Sequence, residues 1–136
     1  MLPNKVKVGK EDGSLTLEYP DGACFTMSGE YLRVHSPSAE VKGHGPGQEV
    51  LQHGKQGIRV TGAAASGNYA LTLTFSDGHN SGIYSWGYLR DLAENHDQYW
   101  QHYLDRLTQS GKFRDANTQP VKLMDPGNQK TRPQRT

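Results

Sequence analysis

The chain has 136 residues, 33% of them hydrophobic, and a mean hydropathy of −0.81, so it has room for one domain around a modest core. No run approaches the length of a membrane span and Met1-Leu2-Pro3-Asn4-Lys5 holds no apolar signal region, which points to the cytoplasm; one cysteine, Cys24, excludes an intramolecular disulfide and a thiolate-rich zinc site within a single chain. The net charge of +1 divides unevenly, because residues 1–111 carry 9 basic and 12 acidic side chains (−3) and residues 112–136 carry 6 and 2 (+4).

Val6 and Val8, a Gly-Lys-Glu-Asp-Gly reversal, and then Leu15, Leu17 and Tyr19 at alternate positions predict a strand, a turn and a second strand. Pro20-Asp21-Gly22 supplies another turn, after which Ala23, Phe25 and Met27 resume the alternation and Cys24 is expected to pack on its strand. A short helical turn follows at Tyr31-Leu32-Arg33, with Tyr and Leu on the sheet and Arg outward. Residues 34–56 are rich in Gly and polar side chains and read mostly as loop; His35, Ser36, Ser38, Glu40, His44 and Gln48 lie there among glycines that let a ligand approach the backbone. An Ω-like surface loop with incidental polar residues is the other reading of this stretch. Gly57 to Thr61 is predicted as a strand and 62–67 as a turn.

Tyr69, Leu71, Leu73 and Phe75 alternate with small residues into Ser76-Asp77-Gly78, a second hairpin. Ser85 can cap a helix over 86–94, and Asn95 with Gln98 resembles the cap of another that ends at Gly111. In that last helix Tyr99, Trp100, Tyr103, Leu104 and Leu107 form one apolar face, expected to cover the sheet. Leu17 to Gly22 matches Leu73 to Gly78 at an offset of 56, and Tyr31-Leu32-Arg33 matches Tyr88-Leu89-Arg90 at 57; an internal duplication and two independently similar hairpins both account for this. The expected architecture is α+β, a small mostly antiparallel sheet of hairpins with two C-terminal helices packed on it, in a domain of residues 1–111 followed by a basic, disordered tail at 112–136.

No phosphate loop, nucleophile elbow or Cys-x-x-Cys is present, so the stronger catalytic signals are absent. His35, His44 and His79 with Glu40 could supply imidazole and carboxylate ligands to zinc or iron if the loop folds over the second hairpin; hydrogen-bonded or solvent-facing histidines are the alternative. The acidic body argues against nucleic acid, leaving only the tail to touch it.

The blocks Tyr31-Leu32-Arg33-Val34-His35-Ser36-Pro37-Ser38-Ala39-Glu40 with Gly43-His44-Gly45, and Phe75-Ser76-Asp77-Gly78-His79 through Tyr84, Trp86, Tyr88 and Leu89, resemble the bacterial stand-alone form of the gamma-butyrobetaine hydroxylase-like N-terminal domain over roughly residues 6–110. In the hydroxylases this module precedes a separate iron and 2-oxoglutarate oxygenase domain, and related modules are fused to ATPases of iron–sulfur cluster assembly. The resemblance implies a small accessory domain without the oxygenase motifs. It also implies structural zinc held by three cysteines and a histidine; His79 occupies the histidine position, whereas Ser36, Ser38 and the His44 region stand in the cysteine stretch. The reading reached is a non-catalytic module, with no small-molecule substrate, that recognises another protein through Arg33, Ser36, Ser38, Gln48, Asp77 and Tyr84. A zinc or iron protein using His79, His35, His44 and Glu40 is the rival.

Overall fold

The computed structural model describes residues 2–43 and 47–117. Strands β1 (Lys5–Val8), β2 (Leu15–Glu18) and β3 (Cys24–Met27) form one antiparallel sheet in that order, followed by helix α1 (Gly29–Val34). The one-turn helix α2 (Ala39–Lys42) comes next. Strands β4 (Val60–Ser66), β5 (Ala70–Phe75) and β6 (Ile83–Ser85) form a second antiparallel sheet, followed by α3 (Trp86–Glu94) and α4 (His96–Ser110). The class is α+β as expected, with two three-stranded sheets rather than one.

Both sheets feed one core. Leu15, Leu17 and Met27 of the first, Val60, Leu73, Phe75 and Tyr84 of the second, and Leu32, Leu89 and Leu92 of the helices lie in a single buried cluster. Each fully buried Leu in it contributes about 1.5–3 kcal/mol. Helix α4 reaches that cluster through Tyr99 and Trp100, while Tyr103 and Leu107 build a smaller one with Val34 and Leu51. Its aromatic face is therefore shared between the core and the segment after α1, and does not lie wholly on a sheet. Among the described residues no helix is long and apolar enough to cross a membrane.

The offset matches are structural. Gly22 and Gly78 have φ of 91° and 88°, a left-handed conformation that favours glycine, and each donates its N–H to the residue three before it, Tyr19 and Phe75. Asp21 accepts from the Ala23 amide as Asp77 accepts from that of His79. Ser28 and Ser85, at the offset of 57, each cap a helix by accepting from the amides of Tyr31 and Tyr88. The tyrosines then cross: Tyr31 OH donates to Leu92 O at 2.7 Å and Tyr88 OH to His35 O at 2.6 Å, the same bond made in both directions. The arginines cross too, Arg33 to Asp77 at 2.9 Å and Arg90 to Asp21 at 3.8 Å. Two β-β-β-α halves thus face each other about a pseudo-twofold axis, the arrangement a duplicated unit would adopt.

Several local expectations change. Strand β4 continues through the Gly-Ala-rich stretch read as a turn, because ladder pairing from Val60↔Phe75 to Ser66↔Ala70 overrides the weak strand propensity of Gly and Ala. Tyr69 is exposed, since Gly67 turns the chain just before it, and Ala70 is buried instead. Cys24 is exposed, as it faces outward on an edge strand. Arg33 is buried, drawn inward by Asp77. Asn95 donates its side-chain amide back to Asp91 and makes no cap bond to α4.

Residues 112–117 remain joined to the body: the amides of Gly54 and Gln56 donate to the carbonyls of Phe113 and Arg114, and Arg114 grips the buried Glu30 with two bonds of 2.9 and 2.7 Å while covering Trp100. Arg114→Ala, or truncation after Gly111, is expected to lower stability by about 2 kcal/mol in urea unfolding, because Glu30 loses its cation in a dry site. Tyr31→Phe and Tyr88→Phe should each cost about 1 kcal/mol; unequal effects would show that the crossed bonds are not equivalent.

Candidate functional site

The site grows from the second Asp-Gly turn. Asp77 Oδ1 accepts from the His79 amide at 3.1 Å, and Oδ2 meets Arg33 Nε at 2.9 Å and Lys55 Nζ at 3.3 Å. Arg33 also donates to Gln52 Oε1 at 3.1 Å. Burial alone would raise the Asp77 carboxyl, but the His79 amide, Arg33 and Lys55 outweigh it and hold it below the usual carboxylate range.

The turn aims His79 into the protein, where it is 8% exposed. Its Nε2 lies 2.9 Å from Ser36 Oγ and 3.4 Å from Ser38 Oγ, and its Nδ1 lies 3.5 Å from Glu40 Oε2. The network assigns the neutral ring an Nδ1–H facing Glu40, with Ser36 donating to Nε2 and accepting from the Ser38 amide at 3.3 Å. Burial, helped by Arg33, pushes the imidazole below its ordinary pKa, while Glu40 and Asp77 pull the other way. Ser38 stands at the N-cap of α2 yet makes no cap bond, and its hydroxyl turns toward His79 instead. Gly82 closes the chamber, because a Cβ there would sit 2.5 Å from Ser36 Oγ.

Serine, imidazole and carboxylate in this order resemble a nucleophile relay, yet Ser36 has no exposed surface and Gly82 seals it. The cluster acts as a lock between the segment after α1 and the second turn. Outside it opens a broad hollow of about 420 Å³ bordered by Glu40, Lys55, Asp77, Asn80 and Ser81.

The structure therefore brings His79, Ser36, Ser38, Glu40, Arg33 and Asp77 together. Arg33, Ser36, Ser38 and the fully buried Tyr84, which donates to Leu32 O at 2.6 Å, support the surface from within; Gln48 is exposed. His35 turns toward α4, with Nδ1 2.8 Å from Tyr31 O and its ring 4.6 Å from that of Tyr31. His44 lies outside the described residues. Structural zinc asks for four thiolate, imidazole or carboxylate ligands. Here only His79 and Glu40 meet, both His79 nitrogens are engaged, and among the described residues no group of three His, Cys, Asp or Glu could hold a metal ion. Neutral serine hydroxyls are poor replacements for thiolates, so the described residues fit a hydrogen-bonded imidazole and not the family's zinc. Sequence reading missed Gln52 and Lys55, whereas Asn80 and Ser81 lie within the turn from Asp77 to Tyr84 that it placed at the surface; the matched offsets of Arg33 with Arg90 and of Asp21 with Asp77 were the signal from which the crossed pairs could have been found.

The chain matches over residues 6–90 the model of a family described as gamma-butyrobetaine hydroxylase-like, N-terminal. It is similar to a protein solved in solution by NMR, at 45% identity and TM-score 0.76 over 90% of this chain and 96% of that one, and to another at 39% identity and TM-score 0.71 over 89% and 91%. A crystal structure of a protein of unknown function from Acidithiobacillus ferrooxidans, belonging to the DUF971 family, is 32% identical with TM-score 0.55 over 67% of this chain and 91% of that one. No curated protein matches the chain.

The two inward histidines set a pH dependence. His79 and His35 are both pushed down by burial, so below the ordinary imidazole pKa the unfolded chain binds more protons than the folded one. Their stability contribution is complete above the ordinary imidazole pKa of about 6.5 and declines as pH falls below it, whereas that of Asp77 is complete above the ordinary carboxylate pKa and is lost as pH falls below that. Urea unfolding from pH 7 to 5 should show this decline, and His79→Gln should make it shallower; an unchanged slope would mean that the ring takes up its proton as readily in the folded chain as in the unfolded one.

Proposed function

The chain belongs to the gamma-butyrobetaine hydroxylase-like N-terminal family, and on that premise we propose that it is a non-catalytic accessory module that recognises another protein through the hollow beside residues 77–81. The observation that carries this reading is the lock itself. Arg33, Ser36, Ser38 and His79 spend their hydrogen-bonding capacity on fixing the loop, and Glu40, Asn80 and Ser81 remain exposed at its rim. A rigid loop with polar groups outward suits docking, where preorganisation limits the entropy lost on binding. An enclosed nucleophile and an open hollow suit no reaction on a small substrate. The pseudo-equivalent first turn has Ala23 where the second has His79 and carries no such chamber, which gives the module one recognition face.

The partner is a protein of oxygenase or iron–sulfur chemistry in the cytoplasm, by extension from the family's fused forms. The rival reading, a zinc or iron protein, has the His79–Glu40 contact in its favour and needs further ligands. Elemental analysis of the purified protein is expected to give less than one equivalent of either metal.

Ser81→Trp should abolish capture of a specific protein from lysate, with the thermal midpoint retained, while Glu11→Trp on the first half leaves capture intact. Equal capture by both variants would remove this surface from consideration.

A further inference from the structure

A second cavity, of about 130 Å³, lies on the other side of the segment that carries Ser36, between that segment, α4 and residues 49–52. Its walls are tied together before any ligand arrives. Tyr103 OH donates to Gln52 O at 2.7 Å, the Val50 amide to Val41 O at 2.8 Å, and Tyr88 OH to His35 O at 2.6 Å, so α4, α2 and α3 are each anchored to the loop they face. Val34, Val41 and Leu51 give the interior an apolar lining.

The charge around it is one-sided. Lys42, His102 and Arg106 border the cavity against a single carboxylate, Glu49. Among the described residues no Asp or Glu forms an ion pair with Lys42 or Arg106, and Lys42 rests 5.1 Å over the Tyr88 ring. Cations at the rim of a partly apolar lining favour an anion with an apolar body. A volume of about 130 Å³ suits a small ligand, and none of the described residues that border it is a glycine or opens a helix, so they offer no row of amides of the kind a phosphate group takes.

We propose that this cavity is a binding site for a small organic carboxylate, its charged end held by Arg106 and Lys42 and its aliphatic or aromatic body set against Val34, Val41 and Leu51. His35 favours such a ligand, because Nδ1 meets the Tyr31 carbonyl and the imidazole there is kept neutral by burial. It adds no fixed charge to the apolar end. The site shares no lining residue with the docking hollow, which lies on the His79 side.

Titration of the full chain with benzoate and with isobutyrate, followed by two-dimensional ¹⁵N–¹H NMR, tests it. Saturable shifts clustered at Val41, Leu51, Tyr103 and Arg106, with a roughly millimolar Kd or tighter, are expected. Arg106→Ala and Lys42→Ala should each weaken binding roughly tenfold or more with the rest of the spectrum unmoved, and Arg106→Lys should recover part of the loss. Non-saturating shifts, shifts centred elsewhere, or wild-type affinity in Arg106→Ala would overturn the proposal. Inorganic phosphate binding as tightly as benzoate would overturn the assignment to carboxylates, and a Leu51→Trp variant that folds with its cavity filled yet binds benzoate unchanged would remove the cavity as the site.

Discussion

The ion pair between Arg33 and Asp77 is the constraint on which the site depends. It joins the end of α1 to the turn of the second sheet, with side chains 8% and 20% exposed, so the guanidinium is withdrawn from bulk water and the carboxylate keeps only a limited opening to it. A buried pair of this kind is a weak source of net stability, yet loss of one partner is costly, and its value lies in permitting one arrangement. The carboxylate completes that arrangement by taking Lys55 on the same oxygen and the His79 amide on the other. The turn conformation, the direction of His79 and the position of α1 are consequently fixed by one carboxylate.

The pseudo-symmetric counterpart isolates what is particular to this side. Arg90 reaches Asp21 at 3.8 Å, but it also takes Glu94 at 2.9 Å and lies over the rings of Tyr19 and Phe25, in a surface setting. Where the second turn has His79 the first has Ala23, and at the position matching Ser36 the second half has Ala93. One architecture therefore carries two versions of the same crossing, one closed by methyl groups and the other by an imidazole and two hydroxyls. Burying polar groups demands that each be satisfied, and the diversion of Ser38 from its capping role shows a local preference yielding to that demand. Such a concession is expected at functional positions.

Much of the fold was legible because period and turn chemistry are local. The alternation of Leu15 and Leu17 or of Leu71, Leu73 and Phe75, the Asp-Gly reversals, the Ser85 cap and the stop at Gly111 all appear in the structure. The start of β4 was legible at Val60 and Thr61, but its continuation from Gly62 to Ser66 was not, since the Gly and Ala residues there carry no strand signal and are held by their neighbours in the ladder. In the site, the meeting of residues 36–40 with His79 followed from the two motif blocks, but the separation of His35 from Ser36 did not. His35 ends α1 as its C-cap, where the chain leaves the helix, and its ring lies near Tyr99 and Tyr103 of α4, whose aromatic stripe gave no indication that it would claim His35.

The division of its side chains gives the stretch from the end of α1 through α2 its place in the architecture. Ser36, Ser38 and Glu40 turn toward His79, whereas Val34, His35 and Val41 border the cavity under α4, and Ser36 touches both. The segment is a thin partition, held on one side by the imidazole and on the other by Tyr88 through the His35 carbonyl. Pro37 stiffens it midway. A partition so tied cannot shift toward one side without breaking hydrogen bonds on the other, which makes the two faces mechanically one unit although their chemistry differs: the His79 face spends its polar groups internally, and the α4 face leaves its cations for whatever enters.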